Sequence, residues 1–149
     1  MDAGLRVAAF SELAAGTLYE LLKLRAEVFV VEQECAYLDL DGRDAEPGTR
    51  HLWLSDAAGV TTYLRILDDG DSARIGRVVT APRARGAGLA GRLLQEALTV
   101  IGDRPVVLDA QAHLAGFYGR YGFRQTGPEY LEDDIPHIPM LRAATQPVR

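Results

Sequence analysis

Cys35 is the chain's one cysteine, so neither an internal disulfide nor a cysteine-rich zinc site can form. Lysine is as scarce: Lys23 stands alone, and every other basic position is arginine. Asparagine is absent, and His51, His113 and His137 lie far apart with no ligand spacing among them. The sequence therefore offers no metal centre. No apolar run approaches the roughly 18–20 residues that a membrane helix needs, and the run 28–31 is closed at once by Glu32. The first residues lack a basic segment followed by an apolar one. No export signal is read, and a cytoplasmic location is expected. There is no basic excess either: 16 Lys and Arg stand against 21 Asp and Glu, for a net charge of −5. That balance argues against a nucleic-acid partner.

What remains is ordinary globular material, 149 residues with 48% hydrophobic and 25% charged. The length predicts a single domain over 1–149, able to bury about 68–70% of its unfolded surface. Residues 5–10 read as a strand and 17–32 as a helix, with Thr17 and Glu20 at capping-box spacing. Leu18, Leu21, Leu22, Val28 and Phe29 keep a helical period, and Arg25 is the polar exception on that face. A polar, mostly acidic loop covers 33–50. Residues 51–56 and 60–67 read as a hairpin, and 73–80 as a strand with Gly76 as its expected bulge. The clearest helix is 86–101, with Leu89, Leu93, Leu94, Ala97, Leu98 and Ile101 along one face. A buried strand at 105–110, a short helix at 113–121 stopped by Gly122, and strands at 123–126 and 138–142 complete the chain. Strand 73–80, its helix and strand 105–110 form a βαβ unit, so those strands should be parallel. The order suggests a mixed α/β or α+β sheet.

The most informative stretch runs from Val78 to Gly91. A strand ends, Gly86, Gly88 and Gly91 follow, and a helix begins. Helix N-termini present unpaired N–H groups and a positive dipole end, which together hold anions and above all phosphates. Glycine lets the backbone approach such a ligand, and Arg83 and Arg85 add charge beside it. Three glycines near a helix start cost on the order of 1 kcal/mol each against alanine, which favours a ligand role over tolerance. Gly86-x-Gly88-x-x-Gly91 also satisfies the dinucleotide pattern, with Asp109 near the ribose-binding distance. That reading is set aside. Residues 81–85 separate strand from glycines, and too little chain follows for a doubly wound sheet.

Arg83-x-x-Gly86-x-Gly88 after a strand resembles the pyrophosphate loop of the GNAT N-acetyltransferases. Gln111-Ala-His113-Leu-Ala-Gly-Phe117-Tyr118-Gly-Arg-Tyr121-Gly122-Phe123 resembles the same family's short helix and closing strand. Three stretches are similar to its ElaA-like branch: residues 24–33, Tyr37-x-Asp39-x-Asp41, and 132–138. The resemblance spans about 5–142. It implies the GNAT fold, a mixed and mostly antiparallel sheet of six to seven strands with a central parallel pair and about four helices. It also implies acetyl-CoA as co-substrate, no metal, and direct transfer of the acetyl group to a primary amine of a small molecule or a protein.

The resemblance assigns roles residue by residue. Arg83, Arg85, Gly86, Ala87, Gly88, Leu89 and Ala90 would hold the pyrophosphate. Val78 and Val79 would pair with the pantetheine arm, and an N–H near Val78 would meet the thioester carbonyl. Gln111 stands where many relatives have Asn, as a further CoA contact. Tyr118 would donate to the leaving thiolate. Some relatives carry a glutamate base at the place of Val106, so the base must lie elsewhere. Glu32, Glu132, His113 and His137 are candidates, and Glu132 and His137 are carried forward as catalytic. Glu32, Tyr37, Asp39, Asp41, Trp53 and Arg65 are acceptor contacts by their place in the family layout. The loop 32–50, with a surplus of acids, would draw a cationic amine or simply be solvated. Two alternatives stay open: a CoA-binding sensor without turnover, and a longer-chain acyl-CoA transferase related to homoserine-lactone synthases. Homodimers are common in the family, and nothing in the sequence marks an interface.

Overall fold

A computed structural model describes residues 4–35 and 37–144. The chain runs through β1 (Arg6–Ala8), α1 (Ala15–Arg25), a π-helical continuation (Ala26–Glu32), β2 (Arg50–Asp56), β3 (Gly59–Asp68) and β4 (Ala73–Thr80). It continues through α2 (Leu89–Ile101), β5 (Val106–Gln111), α3 (Ala115–Gly119), β6 (Arg124–Gln125), β7 (Tyr130–Glu132) and β8 (Ile135–Arg142). The strands form one eight-stranded sheet in the order β1-β2-β3-β4-β5-β8-β6, with β7 also on β8. Every pairing is antiparallel except β4 with β5. This is the expected GNAT-type mixed sheet with one strand more, because β7 was not foreseen.

Hydrophobic alternation divides the core between the two faces of the sheet. Leu93, Leu94 and Ala97 of α2 pack on Leu52, Leu64, Ile66 and Leu108. On the opposite face, Leu21 and Leu24 of α1 and Val28 and Phe29 of the π segment pack on Trp53, Tyr63 and Val79. Trp53 is thus a core residue and not an acceptor contact. Strand β3 lies between these layers, sending Leu64 and Ile66 to α2 and Tyr63 and Arg65 to the other side.

Several boundaries depart from the sequence reading. Helix α1 starts at Ala15 behind Ala14, which makes no side-chain cap. The expected Thr17–Glu20 capping box does not form, because Glu20 Oε2 instead accepts the Val60 N–H at 2.7 Å and ties α1 to the hairpin. Helix α2 starts at Leu89, after Gly86 and Gly88 take φ of 85° and 75°. The segment expected as one short helix divides into a 3-10 turn, Ala112–Leu114, and α3. No helix among the described residues is long and apolar enough to cross a membrane.

Candidate active site

The parallel pair is short. β4 and β5 meet only at Ala73↔Val106 and Arg74↔Val107, while β5 stays paired with β8 from Val106 to Gln111. Beyond Arg74 the strands part and leave facing edges unpaired. A bulge in β4 accompanies the parting: from Tyr63 to Arg65 is two steps on β3, but their partners Val79 and Gly76 are three apart. The extra residue falls just after Gly76, and Arg77 takes a left-handed φ of 55° to accommodate it. A bulge of this kind leaves backbone groups unpaired beside the site. A cavity of about 800 Å³ opens at the parting, and Val78, Val79, Leu108, Gln111, Ala90 and Tyr118 are among the residues that line it.

Arg85 and Ala90 bring the glycine loop to this cavity at the N-terminus of α2, while Ala87 and Leu89 line a second hollow with Arg83 and Asp56. Gly86 and Gly88 have the positive φ that glycine favours, and a Cβ on either would meet no atom within 4 Å. Their role is therefore conformational: they turn the chain so that the first N–H groups of α2 have no carbonyl behind them. Gly91 differs, because a Cβ there would collide with the Tyr121 hydroxyl. It is a packing glycine between α2 and the end of α3. Arg85 lines the cavity, donates to both oxygens of Glu32 at 2.8 and 2.9 Å and bonds the Thr80 carbonyl at 3.2 Å. That fork holds the Glu32 carboxyl below its usual range. Arg83 turns the other way, onto Asp56 at 2.8 Å, and lies outside this cavity.

Tyr118 lies in the wall, 5% exposed, with its ring edge-on to Phe117 and Phe123 at 5.0 and 6.0 Å. Burial raises its hydroxyl to about 12, so it carries its proton throughout the neutral range. His137 and Glu132 line the same cavity, His137 Nε2 lying 3.8 Å from Glu132 Oε2. His137 Nδ1 is 2.8 Å from the Ile135 carbonyl. A carbonyl only accepts, so Nδ1 carries the hydrogen and neutral His137 keeps its lone pair on Nε2. Tyr130 stacks on the imidazole at 5.8 Å. The hairpin carrying Glu132 turns at Asp133 and Asp134, both left-handed. Across the cleft Gln111 Nε2 donates to Gln33 Oε1 at 3.1 Å. His113 lines the cavity as well.

The acidic loop turns part of its charge inward, while Glu32, Glu34 and Asp41 stay exposed. Asp39 and Asp44 are buried and converge on Arg25, which is 1% exposed, at 3.2 and 2.8 Å. Arg65 reaches Asp41 at 2.6 Å and Asp44 at 3.0 Å. Arg77 reaches Asp39 at 2.8 Å and lies over the Tyr37 ring at 4.9 Å. Hydrogen bonds from Arg65 hold Asp41 well below the usual carboxylate range. Burial works against Asp44, but Arg25 and Arg65 outweigh it and its carboxyl also ends low. His51 completes the cluster, with Nε2 3.0 Å from the Asp44 carbonyl and Nδ1 2.7 Å from the Tyr63 hydroxyl. Nε2 therefore carries the hydrogen and Tyr63 donates to Nδ1. Asp39, Asp41 and Arg65, expected at the acceptor, are members of this ion cluster. Arg65 and Tyr37 also line the cavity.

A family model for the acetyltransferase (GNAT) domain matches residues 20–143. The chain belongs to the GNAT acetyltransferase family. It is 50% identical to a UPF0039 protein of Mycobacterium tuberculosis over 147 residues, covering 95% of this chain and 94% of that one. It is 43% identical to protein ElaA of Escherichia coli over 145 residues, 91% and 94% of the two chains. Among solved structures, an acyl-CoA N-acyltransferase from Pseudomonas aeruginosa superposes with a TM-score of 0.89 at 46% identity, covering 93% of this chain and 98% of that one. The crystal structure of ElaA gives 0.87 at 40%, covering 93% and 97%. The chain is thus an acyltransferase of the ElaA-like kind, and GNAT acyltransferases take an acyl-CoA donor and an amine acceptor.

The GNAT cleft also contains residues that the sequence did not single out. Arg77 stands at the bulge, where a non-glycine left-handed residue gives no sequence signal. Gln33 and Cys35 line the cavity; Gln33 closes a stretch that carried the ElaA resemblance, which was its available clue, and Cys35 lies just beyond it. Val106, where some relatives carry glutamate, is fully buried at the closed end of the cleft.

Proposed function

We propose that the chain transfers the acetyl group of acetyl-CoA to a primary amine, small or protein-borne, by direct attack. The observation that carries this reading is the parting of β4 and β5 in front of the α2 N-terminus, with Tyr118 in the same cavity. The parts fit such a donor. Backbone N–H groups of Leu89 and Ala90, reached past Gly86, Ala87 and Gly88, would take a diphosphate. The open edge at Val78 and Val79 suits an extended amide-bearing arm, and Gln111 faces it. An N–H freed at the bulge near Val78 would donate to the thioester carbonyl as charge develops there.

In this reading the amine nitrogen forms the new bond to the acetyl carbon as the carbon–sulfur bond breaks. His137 Nε2, with the Glu132 carboxylate beside it, takes the proton that the amine sheds. Tyr118 gives its proton to the departing sulfur. Arg85 stays with the diphosphate side of the cleft, its pairing with Glu32 included. Acetyl is preferred over a longer chain because the matching family model is an acetyltransferase.

Tyr118→Phe tests the proposal. It should lower kcat for release of free CoA thiol about a hundred-fold, while the Kd for CoA by calorimetry stays within about two-fold. Unchanged turnover removes Tyr118 from the mechanism. Faster turnover of octanoyl-CoA than of acetyl-CoA by the wild type overturns the acetyl preference.

A further inference from the structure

The mechanism above leaves Gln33 without a role, although it lines the cavity and joins two distant parts of it. Its Oε1 lies 3.1 Å from Gln111 Nε2, 78 residues away in sequence, and 3.7 Å from Cys35 Sγ. In both contacts Gln33 Oε1 is the acceptor, and a carbonyl oxygen has lone pairs for two donors. The buried Cys35 thiol gives one hydrogen and the Gln111 NH2 the other. The Gln111 carbonyl oxygen is left for a ligand N–H in the cavity.

We propose that Gln33 is a positioning residue for the CoA site: through Cys35 and Gln111 it fixes which end of the Gln111 amide faces the cofactor. Without Gln33, the Gln111 amide is free to rotate by half a turn and offer donors where an acceptor is needed. The assignment rests on the reading of the cleft as the CoA site. It also gives the end of the π segment a single task. Glu32 secures Arg85 by the diphosphate loop, and the next residue secures Gln111 on the opposite side of the cleft.

The test is a double-mutant cycle on the full chain, read as the Kd for CoA by calorimetry. Methionine keeps the volume of glutamine without its amide. Gln33→Met should weaken CoA binding about three- to ten-fold, the range of one lost hydrogen bond. Gln111→Met should do at least as much. The double variant should bind no more weakly than Gln111→Met alone, because Gln33 acts through Gln111. Cys35→Ser, which keeps a donor, should hold near wild-type affinity, and Cys35→Ala should move toward Gln33→Met. Penalties that add in the double variant, or Gln33→Met binding within two-fold of wild type, overturn the assignment. Wild-type chain that binds no CoA overturns the cofactor reading, and this one with it.

Discussion

The two lips of the cleft both carry arginine and use it in opposite ways. On the glycine lip Arg83 and Arg85 are partly exposed and pair singly, with Asp56 and Glu32. On the acidic lip Arg25, Arg65 and Arg77 sit inside and share Asp39, Asp41 and Asp44. Of the acids of residues 32–50, Asp39 and Asp44 are spent inward, holding an irregular loop against β3 and β4, while Glu32, Glu34 and Asp41 keep exposed surface. In the proposed role the glycine lip would hold its anion with backbone donors, which no count of charged residues reveals. Composition reports how much charge a segment owns, and burial decides how much it shows.

This contrast can be broken at either side, and the acidic lip should give the larger effect. Arg25→Met takes the shared arginine from two buried carboxylates and leaves Asp44 to Arg65 and Asp39 to Arg77. Removing one partner of such a cluster costs about 3–5 kcal/mol, or a Tm fall of roughly 6–20 °C for a domain of this size, measured by calorimetry. A fall of only a degree or two would mean that the loop is held by its apolar contacts instead. The glycine lip should respond in function before stability. Gly88→Val forces a β-branched residue to φ 75°, a strain of about 1–2 kcal/mol, and should weaken CoA binding about 5- to 30-fold. Gly70→Val, at φ 86° in a turn away from the cleft, should lower Tm while leaving that affinity unchanged. Equal loss of affinity in both would remove the glycine loop from the site.

The smallest effect is in pH. Burial depresses the His51 imidazole below its ordinary value, so on acidification the unfolded chain takes up that proton first. The stability it contributes is present above about pH 6.5 and is lost as pH falls through the lower folded value. Asp41 and Asp44, also depressed, contribute stability above about pH 4 that is lost as pH falls further, through their folded values. Tm should thus decline in two stages on acidification, and His51→Gln should flatten the first. Backbone donors do not titrate, so the glycine lip enters this profile only through Glu32 and Asp56, which Arg85 and Arg83 hold low.

Much of this architecture was legible because local signals agreed with the final packing. The period of Leu89 to Ile101 named both α2 and its buried face, and the alternation of 73–80 gave β4 to the residue. Long-range partnership was not legible. Arg25 stood out as a polar residue on an apolar stripe, but nothing local says that Asp39 and Asp44 will reach it. Strand β7 was hidden because Pro128, Glu129 and the acids that follow read as loop, and only the edge of β8 makes Tyr130–Glu132 a strand. The π segment keeps Val28 and Phe29 buried, so its altered winding leaves the hydrophobic pattern almost unchanged. At the candidate site, Arg85, Ala90 and Tyr118 lie in contiguous motifs that the sequence already marked, and the structure brings them to one cavity. Gln33 and Gln111 meet across the cleft, and the contact belongs to neither segment alone.

Gly91 leaves room for the Tyr121 hydroxyl, which a Cβ there would have to displace. The start of α2 thus rests against the turn that follows α3, the helix that carries Tyr118. A donor gripped at its diphosphate has a fixed reach to its reactive carbon. The third glycine of the loop, which touches no phosphate in this scheme, would therefore calibrate where that carbon arrives.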